Sequence, residues 1–177
     1  MKTNKNIAKL AVIFVCLLCL TFSANAQKRR TTSKKTKTPP RIALTSNSEI
    51  KDGAQKVSVQ IKNVSKFIYV LGGIAKSIED IDKEAKTGRV SPEITGKNTK
   101  FKQSVIQSIR NLRAGLVALE IEFRTKPALR NYLFQIQGIS DMTGVAEDQA
   151  TGGQLTDSGK TLLQVIEKLS DTLAALP

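Results

Sequence analysis

A regular apolar spacing constrains this chain more than any other feature. Apolar residues alternate four and three positions apart over four heptads, at Ile50, Ala54, Val57, Ile61, Val64, Ile68, Leu71, Ala75 and Ile78. This period places them on one face of an α-helix. Gly72-Gly73 does not shift the apolar spacing, because Leu71, Ala75 and Ile78 stay in register on both sides of it. We therefore expect one continuous first helix over residues 47–86. Ser46 and Glu49 have the spacing of a capping box, and Gly88 follows the expected end.

Three further amphipathic segments follow the first. The second helix is expected over residues 98–124, after a loop at 88–98 that contains a single turn at Ser91-Pro92-Glu93. Pro127 fits the first turn of the third helix, whose end could lie anywhere from residue 140 to residue 151.

A firm break at Gly152-Gly153 precedes the fourth helix. Its apolar residues again alternate four and three apart, from Leu155 to Leu176. Four amphipathic helices joined by short connections predict an all-α fold. We expect residues 46–177 to form an up-down four-helix bundle with a long, coiled-coil-like first helix.

The first 26 residues have the pattern of a secretory signal peptide. Lysines precede a short apolar run from Leu10 to Phe22, and Ala24-Asn25-Ala26 supplies the small residues of a cleavage site. That run has 13 residues, whereas a membrane span needs about 20. We therefore predict that the chain is exported, to the periplasm or the extracellular space, and that the mature protein begins at Gln27.

Residues 27–45 are predicted to be a disordered basic linker. The stretch 27–41 contains no acidic and no apolar side chain. We expect it to bind polyanions through seven cations: Lys28, Arg29, Arg30, Lys34, Lys35, Lys37 and Arg41. Of the chain's 28 Lys and Arg, three lie in the predicted signal and these seven in the linker. The remaining 18 face 15 acids, so the basic character belongs to the linker rather than to the helices.

The residue types that are missing exclude many activities. Histidine is absent, and both cysteines, Cys16 and Cys19, lie inside the predicted signal peptide. The mature chain therefore lacks the residues of a Ser-His-Asp triad, a Cys-His pair, a His/Cys zinc site and an axial His or Cys haem ligand. The acids between Glu79 and Glu84 are interleaved with lysines, which is typical of a solvated helix face. We predict no catalytic residue, no metal and no cofactor.

The expected first helix is too long for the bundle. At 1.5 Å per residue it would extend about 60 Å, against about 35–40 Å for the others. An apolar stripe could therefore lack a partner within the chain and face a protein partner or a second copy. The candidate residues are Ile50, Val57, Ile61, Phe67, Val70 and Ile74. The alternative is that the helix packs between two neighbouring helices.

These observations favour an exported, non-enzymatic interaction protein. The basic linker would hold the bundle near an anionic cell-envelope surface, of lipid headgroups or anionic polymer. An alternative is a small carrier that binds an apolar ligand between glycine-lined helices. A less favoured alternative is an extracellular protein that binds polyanions or nucleic acid. Sequence-specific recognition of nucleic acid is not expected, because binding through charge has little sequence selectivity. Base stacking is not expected either, because no aromatic residue is interleaved with the linker's cations.

Overall fold

The computed structural model describes the backbone of residues 42–177 and the side chains of residues 46–177, which belong to one compact unit. In this part of the chain every regular element is helical, so the predicted all-α class is confirmed. The predicted signal peptide and residues 27–41 of the predicted linker lie outside the described residues. The elements are α1 (Ile42–Lys86), α2 (Pro92–Thr125), a 3-10 helix (Arg130–Tyr132), α3 (Leu133–Ile136), α4 (Ile139–Thr151) and α5 (Leu155–Ala175).

The first helix is continuous, as its apolar phase predicts. Val57 and Val64 are fully buried and Leu71 nearly so, and Gly72-Gly73 lies inside the helix. The expected start is wrong, because α1 begins at Ile42, inside the predicted linker. No proline or glycine lies between residues 41 and 52, so nothing in that stretch breaks the helix. Ser46 is therefore an interior residue of α1 and not its cap.

Gly88 ends α1 as predicted. Its φ of 71° is left-handed, which glycine adopts without a Cβ penalty. The Gly88 N–H donates to the Ala85 carbonyl at 3.1 Å, and the Arg89 N–H donates to the Glu84 carbonyl at 3.2 Å. This pair of bonds is a Schellman motif, which satisfies carbonyls that the helix end leaves free.

The second helix begins six residues earlier than expected. Ser91, predicted to be part of an isolated turn, is the N-cap of α2, and its Oγ accepts from the Ile94 N–H at 3.4 Å. Pro92 occupies the first helical position, where a missing N–H costs no hydrogen bond. The loop expected over residues 88–98 is therefore wrong, and the connection between α1 and α2 is a short turn.

The expected third helix is replaced by three short elements. A 3-10 turn and α3 follow the loop at Pro127, and Gly138 separates them from α4 with a φ of 90°. The Glu120 carboxylate accepts from the Gly138 N–H and from the Ser140 hydroxyl, so it satisfies groups at the start of α4. α4 ends at Thr151, and Gly152-Gly153 forms the predicted break before α5.

The core consists of two apolar clusters along the helices. One contains Val64, Leu71, Ile109 and Leu162, and the other contains Val57, Phe123, Leu129 and Leu169. Helix α1 packs against α2 and α5, and α4 packs against the same two helices. The four long helices thus enclose a core that contains no cysteine, so apolar burial is its main source of stability.

Candidate functional site

The six apolar residues proposed as a partner surface lie mainly against the chain's own core. Val57 is fully buried. Four others are partly buried against the two clusters: Ile50, Ile61, Phe67 and Ile74. Val70 is half-buried. The stripe therefore has partners inside the chain, and its use by a second protein stays a prediction.

The opposite face of α1 is exposed and basic. Lys62 and Lys66, one helical turn apart, are both exposed. Tyr69 follows on the same side with 86% of its surface exposed. Between Gly53 and Ile78 the helix carries no acidic residue at all. The side of α1 that faces solvent between Gly53 and Ile78 is therefore positively charged.

The glycine pair lies in the middle of this exposed face. A Cβ added at Gly72 or Gly73 would meet nothing within 4 Å. Close approach of another helix within residues 42–177 therefore does not explain these two glycines. Close approach does explain two other glycines. A Cβ at Gly53 would lie 2.7 Å from Leu129 Cδ2, and a Cβ at Gly115 would lie 3.0 Å from the Gln60 side chain.

The acids at the end of α1 join helices to one another. Glu79 accepts from the Thr156 N–H at 2.7 Å at the start of α5. Asp82 accepts from Asn98 Nδ2 at 2.7 Å and from Lys102 Nζ at 2.6 Å, both on α2. The sequence pattern indicated a solvated helix face for these acids. The structure shows that Glu79 and Asp82 also bond residues of other helices.

Glu147 on α4 bonds two arginines of α2. Its carboxylate accepts from Arg110 Nε at 2.6 Å and from Arg113 Nη1 at 3.4 Å. The hydrogen bond from Arg110 is the main reason why the pKa of Glu147 is lowered. Glu147 is only 15% exposed, and both guanidinium groups cover it. The cluster is an ion-paired link between helices and presents no free anion or base.

Two pockets open on the surface of the described residues. One, of about 300 Å³, is lined by Glu120, Ile121, Arg124 and Asp141 among others. The other, of about 540 Å³, lies between Glu49 on α1 and the loop at Pro127. Glu49 there accepts from the Ala128 N–H at 3.4 Å. In both pockets the carboxylates Glu120 and Glu49 already bind backbone groups, so neither presents a free pair of acids for acid–base chemistry.

Within residues 42–177, no group of three or more His, Cys, Asp or Glu is arranged to hold a metal ion. None of the helices in this range is long and apolar enough to cross a membrane. Comparison of the whole chain with known proteins found no matching family model, no matching curated protein and no matching solved structure.

Sequence reasoning missed the exposed face of α1 because it followed the apolar residues. Lys62, Lys66 and Tyr69 share a helix face, and this periodicity is visible in the sequence once the core seam is assigned. The seven cations of residues 27–41 lie outside the described residues, so their binding role stays a prediction. The candidate site that the structure offers is therefore the solvent side of α1.

Proposed function

We propose that this chain is an exported, non-enzymatic interaction protein that its basic segment holds at an anionic surface of the cell envelope. The observation that carries the proposal is the segregation of charge. Residues 27–78 contain twelve Lys and Arg but only two acids, Glu49 and Asp52. The other 13 acids of the chain all follow Ile78.

Ion pairs inside the bundle engage several acids, whereas lysines on α1 remain exposed to solvent. Several later acids are held by partners in the chain, as Glu147 is by Arg110 and Asp82 by Lys102. Lys62 and Lys66 instead lie on the solvent side of α1. An anionic surface would therefore meet the seven cations of residues 27–41, while several of the acids that follow Ile78 are engaged by partners in the chain.

We propose an up-and-down arrangement for the four long helices. Three contacts support antiparallel neighbours. Lys56 near the start of α1 pairs with Glu122 near the end of α2, and Asp82 near the end of α1 pairs with Lys102 near the start of α2. Glu79 near the end of α1 bonds Thr156 at the start of α5. In this arrangement α1 exposes one long side to a partner.

The expected binding is electrostatic and modest. A Lys or Arg near an anionic membrane contributes about 1 kcal/mol, so seven cations supply at most about 7 kcal/mol. Because salt screens this attraction, we expect binding to be weakened at physiological ionic strength and lost at high ionic strength. The alternative of an apolar carrier gains no support from the two described pockets, since acidic side chains line both of them.

Co-sedimentation with vesicles tests the proposal. Chain 27–177 is mixed with vesicles of phosphatidylcholine containing phosphatidylglycerol, and with vesicles of phosphatidylcholine alone, at low and high salt. A second chain begins at Ile42, where α1 begins. The matched control keeps residues 27–41 but replaces their seven Lys and Arg by Gln.

We expect chain 27–177 to sediment with the anionic vesicles at low salt and to stay in solution at high salt. Both the shortened chain and the Gln variant should bind at least tenfold more weakly. Equal binding by all three chains, or no binding of chain 27–177 to anionic vesicles or envelope fragments at any salt, would contradict the proposal. Export is tested separately by locating the protein and determining its N-terminus, which we expect to be Gln27.

A further inference from the structure

Four charges on the solvent side of α1 are arranged symmetrically around Gly73, whereas the exposed Lys76 and Lys83 have no acidic counterpart in this arrangement. Lys66 and Asp80 each lie seven residues from it, on opposite sides, and Lys62 and Glu84 each lie eleven residues away. Seven and eleven residues are close to two and three helical turns. All four side chains therefore project within about 20° of Gly73 around the helix axis.

We infer that a second copy of this chain docks on this face, with the two α1 helices antiparallel and crossing at Gly73. In that register each residue i faces residue 146 − i of the partner copy. Lys66 then faces the other copy's Asp80, and Lys62 faces its Glu84. A two-fold axis repeats both pairs, so the interface contains four opposite-charge pairs. The inference does not depend on the basic segment or on export.

The glycines explain how the helices could approach. Gly72 and Gly73 are exposed and have open space where a Cβ would stand. Two glycines in the interior of a helix cost about 2 kcal/mol together relative to alanine. No contact inside the chain requires this cost, whereas a crossing helix at Gly73 does, because absent side chains let two helix backbones pack closely.

Tyr69 fits the same register. It is 86% exposed, so a partner could bury a large aromatic surface there. In the antiparallel pair it faces the small side chain of Ser77 and lies beside the other copy's glycine pair. The ring therefore finds space left by the missing Cβ atoms, and Lys76 of the other copy is close enough to contact its face.

Contacts within the chain leave the acids available. Asp80 lies 3.5 Å from Lys76 Nζ and 3.8 Å from Lys83 Nζ, and its side chain is 47% exposed. Those distances are longer than a charge-assisted hydrogen bond, so Asp80 can accept from another lysine. Glu84 is exposed. One helix pair buries less surface than a standard interface, so we expect a weak dimer that dissociates in the micromolar range and is weakened by salt.

Sedimentation equilibrium tests the dimer with the chain purified as the cell processes it. The variant K62E/K66E has a uniformly acidic face at these positions, and D80K/E84K has a uniformly basic one. We expect the unaltered chain to show a monomer–dimer equilibrium at low salt. Each variant alone should self-associate at least tenfold more weakly, because like charges face each other. An equimolar mixture of the two should form a heterodimer, because antiparallel pairing then matches all four charges.

Two single substitutions of glycine test whether the helices cross at Gly73. Gly73→Leu should abolish the dimer, because the added side chain holds the helices apart. Gly96→Leu is the matched control, since Gly96 is also exposed in a helix and has nothing within 4 Å. Circular dichroism and the melting temperature establish that each variant folds. The inference is overturned if the unaltered chain is monomeric up to about 1 mM, if Gly73→Leu leaves the dimer intact, or if mixing the two charge variants fails to restore association.

Discussion

A close contact between Gly53 and Leu129 gives the sharpest test of how the chain is packed. Gly53 is a buried residue of α1, and Leu129 is fully buried just before the 3-10 helix. A Cβ at residue 53 would lie 2.7 Å from Leu129 Cδ2 and 3.0 Å from Cδ1. Gly53→Ala therefore gains about 1 kcal/mol of helix propensity but adds an overpacking cost of about 1–3 kcal/mol. We expect a net loss of about 1 kcal/mol in the free energy of unfolding.

The effect of Gly53→Ala on the free energy of unfolding should change sign when Leu129 is shortened. Leu129→Ala alone should cost about 2–5 kcal/mol, because it removes buried contacts and leaves a cavity. In that background the Cβ of Gly53→Ala no longer meets the two methyl groups and fills part of the space. The second substitution should then stabilise by about 1 kcal/mol. The coupling energy between the two sites is therefore about 2 kcal/mol in favour of the double variant.

Urea unfolding of the four chains, followed by circular dichroism, measures this cycle. Gly96→Ala serves as the control, because a Cβ at residue 96 of α2 meets nothing within 4 Å and the substitution should stabilise by up to about 1 kcal/mol in both backgrounds. Steric overlap at residue 53 is refuted if Gly53→Ala stabilises the otherwise unaltered chain as much as Gly96→Ala does. It is also refuted if Gly53→Ala is equally destabilising with and without the Leu129 side chain.

Three further outcomes follow from named hydrogen bonds. Arg110→Ala should cost at most about 1 kcal/mol at pH 7, since Arg110 is 54% exposed. Because the pKa of Glu147 is lowered by folding, this contribution is present above the unfolded pKa and is lost as pH falls through the folded value, so the difference between the two chains should shrink as the pH is lowered through the acidic range. Glu120→Ala should cost about 2–3 kcal/mol and speed hydrogen exchange at the Gly138 N–H, which loses its acceptor. Ser91→Ala should cost about 1 kcal/mol in thermal or urea unfolding, whereas Ser91→Asp, another N-cap residue, should be near neutral.

Long apolar periodicities were sufficient to predict α1 and α5. In each helix the seam continues for several turns, so local irregularities such as Gly72-Gly73 or Gly159 do not hide it. The first six residues of α2, 92–97, were missed because none of them is a buried apolar residue and the apolar pattern ends at the buried polar residue Asn98. Asn98 is 2% exposed and donates to the Ile78 carbonyl of α1 at 3.0 Å. An apolar pattern cannot reveal a helix face that is held by a buried amide.

The break between α3 and α4 depends on contacts across the sequence. Gly138 has a left-handed φ, and its N–H donates to Glu120, 18 residues earlier. On spacing alone, Glu120 has a suitable partner in Arg124, four residues later on α2. The carboxylate instead satisfies the start of another helix. That choice depends on how α2 and α4 pack, so a one-dimensional pattern could not predict it.

The same limit applies to the candidate site on α1. Heptad spacing repeats on every side of a helix, so Lys62, Lys66, Gly73, Asp80 and Glu84 have a regular register whether or not they are exposed. The sequence alone directed attention to the apolar stripe, which the core then covers. Once the core face is known, the opposite side must meet solvent or a partner. An antiparallel copy of the same helix matches four charges on this side, because Lys62 and Lys66 precede Gly73 whereas Asp80 and Glu84 follow it.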